Sequence, residues 1–318
     1  MGTPRYGTKL VSFDFTIRYP EAEVFLQKQL DVFWHAKEIA VEKDVQDVLV
    51  NMTEAERHAV ITTLRLFSIY ESFAGVEFWS LLIHEYTDYP EIQRMCSLFS
   101  AIELSVHQPF YLKLNEALGV ASSEFYLSFT KDLLLFNRVK EIGDMLQMNN
   151  LATRLACFSI VEGAVLYSAF AFLKHFQTKG KNKLNNVVRG INYSLRDENL
   201  HAEAAAWLFS VKELQANPDL VTIDLFTTAI RDSEHQIIDK LFEKGPIEGI
   251  TDVQLKHFVD SRINHCLRKL KLPVKYEVKY NPVNEWFEDS ANNYKMLDFF
   301  TGKGNEYRTG WNSEGFVW

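Results

Sequence analysis

Between Leu155 and Leu173 the chain runs for 19 residues with Glu162 as the only charged side chain. A helix this apolar on every face belongs inside an all-helical body, not on its surface. The run approaches the roughly 20 residues of a membrane span. Glu162 at its centre and the flanking Arg154 and Lys174 favour instead the buried helix of a soluble protein. An ionised carboxylate in such a place costs on the order of several kcal/mol unless something neutralises it. Protonation, a buried salt bridge and metal ligation are the three ways to meet that cost.

Other segments repeat the problem. In Arg196-Asp197-Glu198-Asn199-Leu200-His201 a carboxylate and an imidazole stand three residues apart and leave a helix on one face. Thr53-Glu54-Ala55-Glu56 is a capping box, and the helix it opens places Leu64, Phe67, Tyr70, Glu71 and Phe78 on or near one apolar stripe. Glu71 therefore points inward, whereas Glu77 and Glu85 read as solvated or capping. The next helical run, about 89–118, carries Ile102-Glu103-Leu104-Ser105-Val106-His107, with Glu and His four residues apart. Four helices thus direct carboxylates inward, and two of them add a histidine.

Glu71, Glu103, His107, Glu162, Glu198 and His201 form a donor set suited to two first-row transition ions. Carboxylates bridge cations and offset their charge, imidazoles add one nitrogen each, and mixed oxygen and nitrogen ligation suits iron or manganese. The expectation is two ions per chain, iron in both positions, with manganese–iron and dimanganese pairs as alternatives. Structural zinc favours thiolates, and Cys96, Cys157 and Cys266 show no paired spacing. One Glu-x-x-His step, a second Glu–His pair four residues apart and two further inward carboxylates on an all-α bundle match the ferritin-like dimetal-carboxylate plan.

The remaining pattern predicts helices over about 21–33, 54–86, 89–118, 123–147, 150–178, 183–214, 219–244 and 252–271. One ferritin-like domain is expected over residues 1–274 of the 318-residue chain. Residues 275–318 lack helical period, mix Gly, Asn and charge, and end in Glu314-Gly315-Phe316-Val317-Trp318, so they read as an extended tail. A net charge of -8 argues against a nucleic-acid surface. No apolar leader opens the chain, and three unpaired cysteines suit a reducing cytoplasm.

These motifs, in this order, resemble the radical-generating small subunit of class I ribonucleotide reductase across nearly the whole chain. Phe33-Trp34 with Lys37-Glu38-Ile39 and Asp44 is similar to the family's N-terminal tryptophan motif, and Tyr70-Glu71-Ser72 with Gly75 to its first-ligand helix. His107-Gln108-Pro109-Phe110-Tyr111 has the family's spacing between a metal-binding histidine and the radical tyrosine. Glu162 with Tyr167 resembles the third ligand helix, and Arg196 to His201 the fourth. Phe299 to Tyr307 resembles the C-terminal segment.

The resemblance implies a radical or oxidising equivalent generated from oxygen, or a reduced oxygen species, at the metals. Tyr111 stores it within a shell including Phe110, Leu166 and Phe170, and Trp34, Asp197 and Tyr307 relay it. The partner implied is a large subunit bound through the tail, with Phe316 and Trp318 as anchors. That subunit reduces ribonucleotides. A homodimer, without nucleic acid or membrane, is also implied.

Two features depart from the family. Glu71 stands where Asp is usual, as in branches with a mixed manganese–iron site, which often lack the tyrosine. One extra residue also separates Glu103 from His107, so alignment on His107 and Tyr111 sets Leu104 at the ligand position. A π-bulge would absorb the extra residue, and Pro109 is expected to distort the same helix. A dimetal oxidase on the same bundle is the alternative activity. A metal-free radical subunit and an iron store fit less well, because this chain keeps its carboxylates and has the aromatic tail.

Overall fold

Pro20 and Pro90 each start a helix, where a missing N–H goes unnoticed because the first-turn donors have no intrahelical partner. The computed structural model describes residues 14–214 and 216–287. Helix α1 is Pro20–Asp31, α2 is Glu54–Glu85 and α3 covers 90–117. Helix α4 is Leu133–Leu146, α5 covers 151–174, α6 is Asn185–Ser210, α7 is Leu220–Leu241 and α8 is Asp252–Lys269. No β-strand occurs among the described residues.

Local chemistry sets the boundaries. Thr53 and Glu56 form the expected reciprocal cap, with Thr53 Oγ1 accepting from Glu56 N at 3.2 Å and Glu56 Oε2 accepting from Thr53 N at 2.9 Å. Asn150, Asp219 and Thr251 cap α5, α7 and α8. The single helix expected over 123–147 is broken. Asp132 turns its carboxylate onto the N–H groups of Leu134 and Leu135 and starts α4 afresh, after a short helix Ser123–Leu127. Asp44 closes the front of α6 by accepting from Val187 N at 2.7 Å and Asn186 Nδ2 at 2.8 Å.

Helices α2, α3, α5 and α6 surround the core, with α5 against α6 and α8, and α1 across α3. By length and composition α2 and the segment Leu151–Gly180 could cross a membrane, but 94% of the second segment's apolar window is buried within this fold. It is the central helix the sequence predicted.

Three of these helices loosen into π turns: Phe73–Trp79 in α2, Glu103–His107 in α3 and Val161–Val165 in α5. The turn in α3 takes up the extra residue between Glu103 and His107, as a bulge should, and the helix continues through Pro109. Gly75 allows this crowding, since a Cβ there would lie 2.6 Å from Leu104 Cγ.

The chain beyond Lys275 stays on the body for longer than expected. Asn264 Oδ1 accepts from the N–H groups of Lys275 and Tyr276 at 3.0 and 3.1 Å, and residues 282–287 form a short helix. Val283 and Phe287 are buried there. Two apolar anchors, Val283 and Phe287, are too few to register as a period in the sequence. Tyr307, Phe316, Trp318 and the rest of the expected tail lie outside the described residues.

Candidate metal centre

All six predicted donors meet in one place. Glu71 comes from α2, Glu103 and His107 from α3, Glu162 from α5, and Glu198 and His201 from α6; each is at most 1% exposed. Their ligand atoms fall into two overlapping groups, each within 4.8 Å: Glu71, Glu103, His107 and Glu198, and Glu103, Glu162, Glu198 and His201. Glu103 and Glu198 belong to both, so two carboxylates are shared between two positions. His107 Nδ1 lies 2.9 Å from Glu103 Oε2, 3.0 Å from Glu198 Oε1 and 3.5 Å from Glu71 Oε2. His201 Nδ1 lies 2.5 Å from Glu103 Oε1 and 3.3 Å from Glu198 Oε2.

Both histidines turn Nδ1 to the carboxylates and Nε2 away from them. His107 Nε2 meets Asp197 Oδ2 at 3.0 Å, and the same oxygen accepts from Trp34 Nε1 at 2.8 Å. His201 Nε2 meets Gln29 Oε1 at 3.0 Å, while Gln29 Nε2 donates to Asp197 Oδ1 at 3.0 Å. Gln29 was not singled out in the sequence. Its one signal is a polar side chain seven residues from Ala22, the other buried position of α1.

The electrostatics show how much charge is packed here. Burial raises Glu71 and Glu162 well above the usual carboxylate range, and neighbouring carboxylates add to the effect. Burial also opposes ionisation of Glu103, but His107 and His201 outweigh it and hold Glu103 below its usual range. Burial and Glu103 oppose ionisation of Glu198, yet hydrogen bonding from Glu162 and the His107 charge lower it. Burial disfavours both imidazolium ions, but Glu103 and Glu198 prevail, raising His107 well above its usual value and pushing His201 up to about 9. These opposed directions describe a cluster that shares protons among its carboxylates and imidazoles.

Two divalent cations would replace those protons, with all four carboxylates ionised. The donor atoms fit that exchange. Glu71 Oε1 and Glu162 Oε2 are buried without a well-formed hydrogen bond, and Glu103 Oε1, the Glu198 oxygens and His201 Nδ1 meet only one another or His107 in close ion-pair contact. Native interiors seldom leave so many polar atoms unsatisfied without an ion, a water or a function to account for them.

Tyr111 is fully buried beside this cluster. Phe67 stacks on its ring at 4.4 Å and 5°, Phe110 packs at 4.9 Å, and Phe170 stacks behind Phe67 at 5.5 Å. Phe67, read in the sequence only as part of an apolar stripe, forms a wall of the Tyr111 shell, and the expected Leu166 is buried. The Tyr111 hydroxyl makes no well-formed hydrogen bond. Burial and then the Glu71 charge raise its pKa well above that of a free phenol. Trp34 is 3% exposed and packs against His107, Phe110 and Tyr193.

A family model described as ribonucleotide reductase, small chain, matches residues 13–282. The probable ribonucleoside-diphosphate reductase small subunit 048L of Invertebrate iridescent virus 3 is 26% identical over 300 residues, covering 86% of this chain and 78% of that protein. A putative class I ribonucleotide reductase from Bacillus halodurans superposes with a TM-score of 0.76 at 22% identity, over 85% of this chain and 99% of the other. Dimanganese(II)-NrdF of Streptococcus sanguinis gives a TM-score of 0.69 at 18% identity, over 86% and 97%. These two structural likenesses speak to the fold.

Proposed function

The chain belongs to the ribonucleotide reductase small-chain family, and on that premise we propose that its six clustered donors hold two first-row metal ions that serve radical generation. It acts as the small subunit of ribonucleoside-diphosphate reductase. The observation that carries the metal reading is the pair of four-donor groups sharing Glu103 and Glu198. When bound, such a pair supplies oxidising equivalents drawn from oxygen or a reduced oxygen species. Iron in both positions is the proposed loading, with manganese–iron and dimanganese as the alternatives that reconstitution decides.

The protein's own groups have distinct tasks. Glu103 and Glu198, common to both donor groups, would be shared between the two ions, with Glu71 and His107 holding one and Glu162 and His201 the other. Asp197 and Gln29 fix the two imidazole rings from behind through Nε2, which keeps each Nδ1 directed at the carboxylates. Tyr111 would yield an electron to the oxidising equivalents that the pair supplies and its phenolic proton to the oxygen being reduced, and the stacked Phe67 and the Phe110 ring would exclude water from the product. Trp34, joined to His107 through one oxygen of Asp197, is the outward relay. Tyr307, beyond the described residues, would pass the equivalent to a large subunit that binds the terminal tail. A homodimer working in the cytoplasm completes the proposal.

Metal stoichiometry after anaerobic reconstitution tests it. Wild type should hold about two ions per chain, as a site with two four-donor groups requires. Glu198→Ala and Glu103→Ala should lose both, because both ions share those carboxylates, whereas Glu162→Ala should lose mainly one. Full occupancy in Glu198→Ala would sink the assignment.

A further inference from the structure

A second cluster of unsatisfied polar groups lies on the opposite side of α2. Nine residues separate Thr62 from Glu71, two and a half helical turns, so the two face in opposite directions. On the Thr62 side a cavity of about 240 Å³ is lined along α2 by Arg57, His58, Ile61, Thr62 and Arg65, and beyond α7 by Lys244.

Two atoms in this wall lack partners. Thr62 is 1% exposed and its Oγ1 makes no hydrogen bond. The adjacent Thr63 shows the usual solution, donating from Oγ1 to Ala59 O at 2.9 Å. Arg65 Nε is also buried without an acceptor, and its guanidinium lies 5.5 Å over the Phe125 ring. Leaving such groups unpaired is unfavourable, more so for a charged one. Arg57 spends Nε and Nη2 on the carbonyls of Val48 and Met52 at 2.9 and 3.2 Å.

Charge points the same way. Among the described residues Arg57, Arg65 and Lys244 form no ion pair, while His58 is taken up by Glu243 at 3.1 Å. Glu54 is the one carboxylate in the lining. Three cations without a carboxylate partner thus gather on a chain whose net charge is -8, although Arg57 keeps only Nη1 free of the Val48 and Met52 carbonyls.

We propose that this cavity binds a phosphoryl group, held by Arg57, Arg65 and Lys244 with the Thr62 hydroxyl as a further donor. Donors arriving from two turns of α2 and from across the groove suit a tetrahedral oxyanion with three terminal oxygens better than a planar carboxylate. The cavity exceeds what phosphate alone fills, and Ile61 gives it an apolar wall. Free phosphate and the phosphate of a nucleotide ester share the recognised chemistry.

Calorimetric titration of the full-length, metal-loaded protein with inorganic phosphate, at constant ionic strength in chloride, tests this. Saturable binding with a Kd of about 1 mM or tighter is expected. Lys244→Gln and Arg65→Gln together should weaken it at least tenfold, with circular dichroism and metal content unchanged. Lys244 is exposed, so Lys244→Gln alone serves if the double variant misfolds. Thr62→Val should weaken binding severalfold without altering the fold. Uridine monophosphate in a parallel titration separates the sources. Binding tenfold tighter than phosphate assigns a nucleotide ester, equal binding assigns free phosphate, and both uphold the site. Phosphate heats no larger than those of matched chloride, or unchanged affinity in the charge variants (an adventitious ion only), would overturn it. Neither result bears on the metal centre.

Discussion

Gln29 and Asp197 are 168 residues apart in the chain and joined by a 3.0 Å hydrogen bond within the core. That bond closes a polar arc behind the metal donors. His201 leans on Gln29, Gln29 on Asp197, and Asp197 on both His107 and Trp34. Helix α1 therefore braces the six-donor cluster although it contributes none of the donors.

Replacing Gln29 by Leu should expose that role. The change leaves His201 Nε2 and Asp197 Oδ1 without their buried partners. Loss of such an outer partner typically weakens metal binding about 10–100-fold, and the effect should fall on the ion held by His201. Competition titration with a chelator measures it. Affinity equal to wild type at both positions would show that the α1 contact does not orient the histidine.

Much of this arrangement was legible because burial makes charge conspicuous. Glu162 stood out inside an apolar run, and Glu71 and Glu198 fell on faces that periodicity turned inward. The Glu103–His107 spacing suggested a bulge, and the π turn there is its physical form. Gln29 was hidden because an uncharged amide in a short amphipathic helix breaks no pattern. Phe67 was read as core, since stacking on Tyr111 depends on how α2 and α3 meet. The outer cavity escaped notice because arginines along a helix ordinarily signify a solvated face.

Tyr111→Phe should separate chemistry from packing. Its hydroxyl is buried without a well-formed hydrogen bond, so deleting it should leave stability no lower than that of the wild type. Urea unfolding of the apo proteins would check this, and metal content should stay at the wild-type level. Activated wild type should show a tyrosyl signal by electron paramagnetic resonance that the variant lacks. Persistence of the same signal would place the radical on another residue.

His175 predicts a sensitivity to acid far from the metals. Burial pushes its pKa down from 6.5 to about 3, and its Nε2 has no hydrogen-bond partner. Between these values the unfolded chain carries a proton on this residue that the folded chain refuses. Stability should therefore decline as pH falls below 6.5, by up to about 1.4 kcal/mol per unit, until the folded form also protonates near 3. His265, held down to about 4, adds a similar effect. His175→Leu should keep the His265 contribution and lose its own. Denaturant unfolding from pH 6.5 to 5 should give a shallower slope in the variant, and an unchanged slope would exclude His175 as a source.

Gly163 should be irreplaceable for a steric reason that a double variant can isolate. It follows Glu162 in the π turn of α5, and a Cβ there would lie 2.5 Å from Cys266 Sγ and 3.5 Å from Ala202 Cβ. Its carbonyl accepts from Arg262 Nε at 3.0 Å, so α8 grips this turn from the same side. In an open helical position Gly→Ala stabilises by about 0.5–1 kcal/mol; here overpacking should reverse the sign and cost about 1–3 kcal/mol. Cys266→Ala removes the obstructing sulfur. Gly163→Ala should therefore be much less harmful in that background, with a coupling above about 1 kcal/mol in the cycle of urea-unfolding energies. Additive losses would mean that the sulfur is not the obstacle. Metal titration of the single Gly163→Ala variant should also show weakened occupancy of the position proposed for Glu162, because the turn that carries this carboxylate must shift to clear Cys266.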